Sequence, residues 1–98
     1  GQVGFVDDAG KSLAGNFDAQ VKQTFKNIER VLARAGGTLK DVVWMTVYVC
    51  DSRYSQRFTD LRRDYYAKDF PASALITAAG FALPEIMLEV CAIAVVDK

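Results

Sequence analysis

One acidic side chain stands in an otherwise apolar segment near the end of the chain. The segment runs over residues 87–96, and Glu89 is its single charged residue. An unpaired charge is costly to bury, and ionisable groups in such places often belong to functional sites. A carboxylate there can orient a water molecule or accept a proton from it. The alternative interpretation is a strand-edge carboxylate in contact with solvent or a lysine.

Several other kinds of chemistry are excluded by composition. The chain contains no histidine, so a Ser–His or Cys–His nucleophile pair cannot form. Cys50 and Cys91 lack CxxC spacing and have no histidine to complete a metal site. A glycine-rich phosphate loop is also missing. We therefore predict no metal and no organic cofactor, and we expect both cysteines to be reduced, buried thiols.

Two helices are predicted to position this chemistry. Asn16 is a good N-cap for the first, and Gly36-Gly37 supplies its left-handed end. A second helix follows the Asp51-Ser52 cap and extends to about Lys68, with Pro71 beyond it. The apolar stripe of the first helix comprises Val21, Phe25, Ile28, Leu32 and Ala35, and that of the second comprises Tyr54, Phe58, Leu61 and Tyr65.

Four strands are predicted, at Val3–Val6 and at residues 42–50, 72–79 and 87–96. With the helices between them, they favour a single α+β domain over residues 1–98, with both helices on one face of the sheet. Alternation over residues 42–50 places Val43, Met45, Val47 and Val49 on one face and Val42, Trp44, Thr46, Tyr48 and Cys50 on the other. Since both faces are largely apolar, another copy of the sheet is the expected cover for the second.

Overall composition limits the partners. The chain has 98 residues, 51% of them hydrophobic, and a net charge of zero. A basic face, which nucleic-acid binders usually show, is lacking, so nucleic acid is an unexpected partner. No signal peptide or membrane-length apolar run is visible, and we expect a cytoplasmic protein without membrane contact. Because Gly1-Gln2-Val3 reads like the end of a strand, we also expect that an N-terminal piece is missing.

Several segments, in this order and spacing, resemble the Rid family, also called the YjgF or L-PSP family. They are Gly1-Gln2-Val3-Gly4, the helix at 20–28, Leu39-Lys40-Asp41-Val42-Val43, Thr46–Val49, Phe70-Pro71-Ala72 and 88–95. The resemblance implies a chorismate-mutase-like fold and a homotrimer with a central barrel, outer helices and clefts between subunits. It also implies hydrolysis of small 2-imino and enamine acids to 2-keto acids and ammonia.

The same resemblance assigns roles to four positions. Glu89 matches the family's water-orienting glutamate, and Gly1 matches the strand end beside the ligand. Ser73 stands where the arginine that anchors the substrate carboxylate is expected, and a serine cannot supply that charge. Arg62 replaces a cleft-facing asparagine, which suggests that it binds an acidic ligand from the other side of the cleft. The alternative for Arg62 is a solvated surface arginine.

Three functions remain open at this point. The first is a deaminase-like hydrolase acting on 2-imino acids or related metabolites, and Glu89 favours it. The second is a trimer that binds small acidic metabolites without turning them over, which Ser73 favours. The third, an L-PSP-type endoribonuclease or translation inhibitor, is disfavoured by the neutral charge.

Overall fold

A computed structural model describes residues 1–96 of the chain. Its longest element is helix α1 (Phe17–Arg34), which begins where the sequence predicts. The Asn16 side chain accepts from the Ala19 N–H at 3.1 Å and caps the first turn. At the other end Gly36 has a φ of 78°, and the Gly37 N–H donates to the Leu32 carbonyl at 2.8 Å. Together with the bond from the Gly36 N–H to the Ala33 carbonyl at 3.0 Å, this bond forms a Schellman motif, which needs a residue with positive φ.

Three strands form one mixed sheet in the order β2-β1-β3. They are β1 (Val42–Val49), β2 (Ala72–Thr77) and β3 (Leu88–Ala94). The central strand β1 pairs parallel with β2 and antiparallel with β3. Strand β2 ends two residues before the predicted end, and β3 is shorter than predicted at both ends.

A bulge corrects the predicted faces of β1. The register with β3 shifts between Val42 and Trp44, so Val42 is buried and Val43 is exposed, the reverse of simple alternation. An extra residue on one strand breaks the period of two. Beyond the bulge Met45, Val47 and Val49 lie on the buried face as predicted.

The second helical segment is shorter and less regular than predicted. It consists of a 3-10 turn at Ser52–Tyr54, helix α2 (Ser55–Leu61) and another 3-10 turn at Arg62–Asp64. Its apolar stripe nevertheless packs on Phe25 of α1. The ring centroids of Tyr65 and Phe25 are 4.2 Å apart, and those of Phe58 and Phe25 are 6.1 Å apart. Both helices cover the same face of the sheet, where the core lies.

The predicted strand at Val3–Val6 does not form. Within this segment Val6 forms an isolated bridge with Ser12, and the preceding residue Gln2 forms another with Val90. The Val3 carbonyl instead accepts from the side-chain amide of Asn27 on α1 at 2.8 Å. The segment is therefore held partly by a helix side chain rather than by a full strand ladder.

The sheet face opposite the helices is open in the single chain. Its large apolar side chains are exposed, with Trp44 at 40% and Ile93 at 60% of their full accessibility. We call this surface, with Val43, Trp44, Tyr48, Ile76 and Ile93 on it, the open face. A monomer rarely leaves so much contiguous apolar surface to water. Among the residues described, no helix combines the length and apolarity that crossing a membrane requires.

Candidate functional site

Glu89 is the second residue of β3 and projects from the open face. Its partner across the sheet is Tyr48 of β1, while the flanking residues Leu88 and Val90 point into the core. The thiol of Cys91, two residues further along the same face, lies 3.9 Å from Glu89 Oε2. Within residues 1–96, Glu89 takes part in no ion pair. The carboxylate is half-buried and so remains available to a ligand or a water molecule.

Gly1 lies directly against this carboxylate. Two backbone bonds hold the adjacent residue in place, from the Gln2 N–H to the Val90 carbonyl at 2.7 Å and from the Val90 N–H back to the Gln2 carbonyl at 2.9 Å. A Cβ placed on Gly1 would come within 2.5 Å of Glu89 Oε2 and 2.8 Å of its Cδ. Only glycine fits at this position unless the carboxylate moves. The structure thus brings two of the four sequence-predicted site residues together.

A small cleft of about 170 Å³ opens beside Gly1, and Glu89 is not among its lining residues. Its walls come from the start of the chain, from α1 and from β3, and they are mostly apolar. The lining residues include Gly1, Ile28, Val31, Leu32, Val90 and Cys91.

Ser73 does not lie with Glu89 in the single chain. It pairs with Met45 of β1, and residues paired in this way project to the same side of a sheet. Since Met45 points toward the helices, so does Ser73, whereas Glu89 projects from the opposite face. Strand β1 also separates the two residues. Ser73 and Glu89 can therefore share a site only if they come from different copies of the chain.

Arg62 is fixed on an aromatic ring near the start of β2. Its guanidinium carbon lies 4.1 Å from the ring centroid of Phe70, a cation–π contact. Phe70 is itself held edge-on by Tyr66, with 5.0 Å between the centroids. No ion pair of Arg62 occurs within residues 1–96, whereas Arg30 and Arg57 are paired with aspartates. The N–H groups of this half-buried guanidinium are thus held in place without a carboxylate.

The groups with shifted pKa values lie outside the candidate site and connect parts of the fold to one another. The Arg57 guanidinium, which donates to the Asp18 carboxylate, lowers the pKa of Asp18. The pKa of Asp8 is lowered in the same way by hydrogen bonds from Arg30, Lys26 and Gln23. Burial raises the pKa of Tyr66 to about 12, and its hydroxyl donates to the Leu39 carbonyl at 2.8 Å. That bond ties the segment before β2 to the turn before β1.

The expected burial of both thiols is wrong for the single chain. Cys50 is exposed at the end of β1, and Cys91 is half-exposed on the open face beside Glu89. Trp44 and Tyr48 lie on the open face, which is the strand face that another copy of the sheet is expected to cover, and the Trp44 indole N–H donates to the Thr46 hydroxyl. The strand pattern could have placed Cys91 near Glu89, since residues two apart share a face.

Three polar side chains of α1 are buried although their types predict exposure. Gln20, Gln23 and Thr24 are almost fully buried. The first two use their amides to hold other parts of the chain. Their polar character makes them look like the solvent side of the helix, and only the tertiary contacts show otherwise.

Comparison with known proteins gives consistent matches. The family model described as endoribonuclease L-PSP matches residues 1–96. A RutC family protein of Aquifex aeolicus is 30% identical over 96 residues, which cover 95% of this chain and 76% of that protein. Human 2-iminobutanoate/2-iminopropanoate deaminase is 31% identical over 85 residues, covering 87% of this chain and 61% of the human protein.

Solved structures agree with these matches. RidA from the Antarctic bacterium Psychrobacter sp. PAMC 21119 superposes with a TM-score of 0.85 at 31% identity, covering 98% of this chain and 76% of RidA. YyfA from Yersinia pestis, described as a protein of unknown function of the conserved Rid family, gives a TM-score of 0.88 at 28% identity, with 98% and 76% covered.

Proposed function

The chain belongs to the Rid/YjgF family, also described as endoribonuclease L-PSP, and from that membership we propose that it hydrolyses small 2-imino acids or related imines and enamines. The observation that carries this proposal is the Glu89 carboxylate, half-buried on the open face against Gly1. In the proposed reaction Glu89 orients a water molecule and accepts one of its protons as the water oxygen bonds to the imine carbon. The imine nitrogen takes up a proton from solvent and becomes an amine.

Collapse of the resulting carbinolamine completes the proposed reaction. The hydroxyl proton leaves to solvent, the carbon–nitrogen bond breaks, and the proton held by Glu89 is transferred to the departing nitrogen. The products are a 2-keto acid and ammonia, and one water molecule is consumed. None of these steps needs a metal or an organic cofactor. An enamine substrate first gains a proton at carbon and loses one from nitrogen, which gives the imine.

Assembly into a homotrimer is part of this proposal. The open face carries exposed Trp44, Ile76 and Ile93, and burying apolar surface of this kind favours association. Three copies joined through their open faces would form a central barrel with the helices outside. Assembly would also allow Glu89 of one copy to share a cleft with Ser73 and Arg62 of another. The half-buried Arg62 would then replace the missing arginine as the anchor for the substrate carboxylate.

A second candidate function is supported by Ser73. This residue is exposed and uncharged where the anchoring arginine is expected, so the trimer could bind small acidic metabolites without hydrolysing them. The decisive experiment measures ammonia and 2-keto acid released from freshly generated 2-aminoacrylate, by the wild type and by Ser73→Arg. Release by the wild type supports the hydrolase with a relocated anchor. Release by Ser73→Arg alone indicates an intact hydrolytic site whose wild-type form is adapted to another ligand. Release by neither protein supports the binding function.

A further inference from the structure

Gln20 is a fully buried polar residue on α1 whose side chain is entirely engaged with backbone from elsewhere in the chain. Its amide nitrogen donates to the carbonyls of Leu13 at 3.0 Å and Glu85 at 2.8 Å. Its amide oxygen accepts from the Met87 N–H at 2.9 Å. One side chain therefore satisfies three backbone groups, two of which lie just before strand β3.

The two bonds near β3 have the pattern of a strand pair. The Glu85 carbonyl and the Met87 N–H flank Ile86 on either side, and a residue of a neighbouring parallel strand would bond to these same two groups. The amide nitrogen and oxygen of the Gln20 side chain take the places of that residue's backbone N–H and C=O. On the other side of the segment the Met87 carbonyl accepts from the Cys50 N–H at the end of β1. Residues 85–87 are thus held between α1 and β1.

We call residues 85–87, held by Gln20 on one side and Cys50 on the other, the clamp. It ends two residues before Glu89. Leu88 then pairs with Val49, and Glu89 with Tyr48. Because the backbone at Met87 is fixed from both sides, the direction and register in which β3 starts are fixed as well. The loop before the clamp has few backbone bonds of its own, among them that from the Ile86 N–H to the Leu83 carbonyl. Without Gln20, residues 85–88 would, apart from this bond, have backbone bonds only to β1 and Cys50, and the next bonds on the other side of the chain would be those of Val90 with Gln2.

We propose that Gln20 is a positioning residue for Glu89, acting through the backbone of residues 85–87. This inference rests on the proposed function in so far as it concerns turnover, because Gln20 itself touches neither the carboxylate nor the cleft. An apolar residue of similar size would fill the same space, but it would leave the half-buried Glu85 carbonyl and Met87 N–H unpaired. The Leu13 carbonyl would keep its bond from the Asn16 N–H. The segment would then shift to reach water or new partners, and Glu89 would move with it.

The test compares Gln20→Met with Gln23→Met, each alone and combined with Glu89→Gln. Gln23 is a matched control because it is also a nearly buried glutamine of α1, and its amide donates to the side chains of Asp8 and Asn27, away from β3. A small misplacement of a reacting group can lower the rate about 100-fold. We expect a loss of that order in kcat/KM for Gln20→Met, mainly in kcat, and near wild-type values for Gln23→Met.

The double variant separates positioning from general destabilisation. If Gln20 acts through Glu89, Gln20→Met lowers kcat/KM no further once Glu89 is glutamine. An equal loss in both backgrounds would overturn the proposal. Should Gln20→Met fail to fold, Gln20→Glu replaces it. That side chain keeps the shape and the bond from Met87, and an intermediate loss confined to the background with Glu89 is expected.

A second readout does not depend on turnover. The side-chain carboxyl carbon of Glu89 can be followed by NMR in the wild type and both methionine variants. We expect its resonance to shift in Gln20→Met and to stay in place in Gln23→Met. An unchanged Glu89 resonance in folded Gln20→Met would overturn the positioning role. A shifted resonance in a protein whose wild type releases no ammonia would support the positioning role and count against the proposed hydrolase.

Discussion

The carboxylate of Glu89 lies so close to Gly1 that a Cβ on Gly1 would stand 2.5 Å from its Oε2 atom. Two residues 88 positions apart thus meet at one edge of the sheet, joined by the bridge between Gln2 and Val90. The carboxylate is half-buried, with Gly1 on one side and the Cys91 thiol 3.9 Å from Oε2. This contact fixes where Glu89 can point and is the basis of the first prediction.

Replacing Gly1 by alanine should displace the Glu89 carboxylate. The added methyl group occupies the place of the carboxylate oxygen, and the flexible glutamate side chain is the part that yields. We expect kcat/KM for imine hydrolysis to fall about 10- to 100-fold, since small misplacements of a reacting group have effects of that size. Gly80→Ala is the control, because a Cβ at Gly80 meets nothing within 4 Å. Equal activities of the two variants would show that the contact has no role in turnover.

Arg62→Ala should weaken the binding of acidic ligands. The guanidinium is held on Phe70 at 4.1 Å, and a hydrogen bond to a charged group contributes about 1.5–3 kcal/mol. We therefore expect the Kd for 2-keto acids to rise by about 10- to 100-fold. Arg63→Ala is the matched control, because Arg63 is the exposed neighbour in the same 3-10 turn. Full affinity in Arg62→Ala would place the anchor elsewhere.

Ile93→Asp should disrupt the proposed trimer. Ile93 is 60% exposed on the open face, and a carboxylate there would have to be buried without a partner when the faces meet. Light scattering should give three times the chain mass for the wild type and a smaller mass for the variant. Ala33→Asp, at an exposed position of α1 that does not line the cleft beside Gly1, should remain trimeric. A wild type that is monomeric at high concentration would contradict the proposed assembly.

Tyr66→Phe should change stability in a pH-dependent way. Burial raises the pKa of Tyr66 from 10.0 to about 12, so the unfolded chain loses the phenol proton first as the pH rises. The stabilisation is complete below about pH 10 and is lost as the pH rises toward 12. We expect the variant to be less stable by about 1 kcal/mol at pH 7, because the bond to Leu39 is lost, and the difference to shrink by pH 11.

Urea unfolding at fixed protein concentration measures this difference. Tyr54→Phe is the control, since no hydrogen bond of the Tyr54 hydroxyl occurs within residues 1–96 and its ring stacks on Phe17 at 4.6 Å. A stability difference between wild type and Tyr66→Phe that is the same at both pH values would argue against the raised pKa.

Much of the scaffold could be predicted from local pattern. The α1 stripe through Val21, Phe25 and Ile28 is buried because the helical period alone decides which side faces the sheet. The Val42 and Val43 faces could not be predicted, since the bulge depends on pairing with β3. The strand expected at Val3–Val6 does not form, and this too depends on a contact that is distant in sequence. The Asn27 amide, 24 residues away, takes up the Val3 carbonyl.

The candidate site was predictable only in part. Glu89 stands out as the lone charge of its segment, and the resemblance to the family points to Gly1. Ser73 and Glu89 lie on opposite faces because of the registers in which β1 pairs with β2 and with β3. These registers could not be predicted from the sequence. The role of Gln20 depends on contacts across 65 and 67 positions, and no local pattern signals such a contact.

The most direct test of this account is the rate of ammonia release from freshly generated 2-iminobutanoate, with wild type beside Glu89→Gln. Glutamine keeps the size of the side chain but cannot accept a proton from water. The account predicts measurable release by the wild type and a kcat/KM about 10²- to 10⁴-fold lower in the variant. Equal release by the two proteins, with both folded, would contradict a catalytic Glu89.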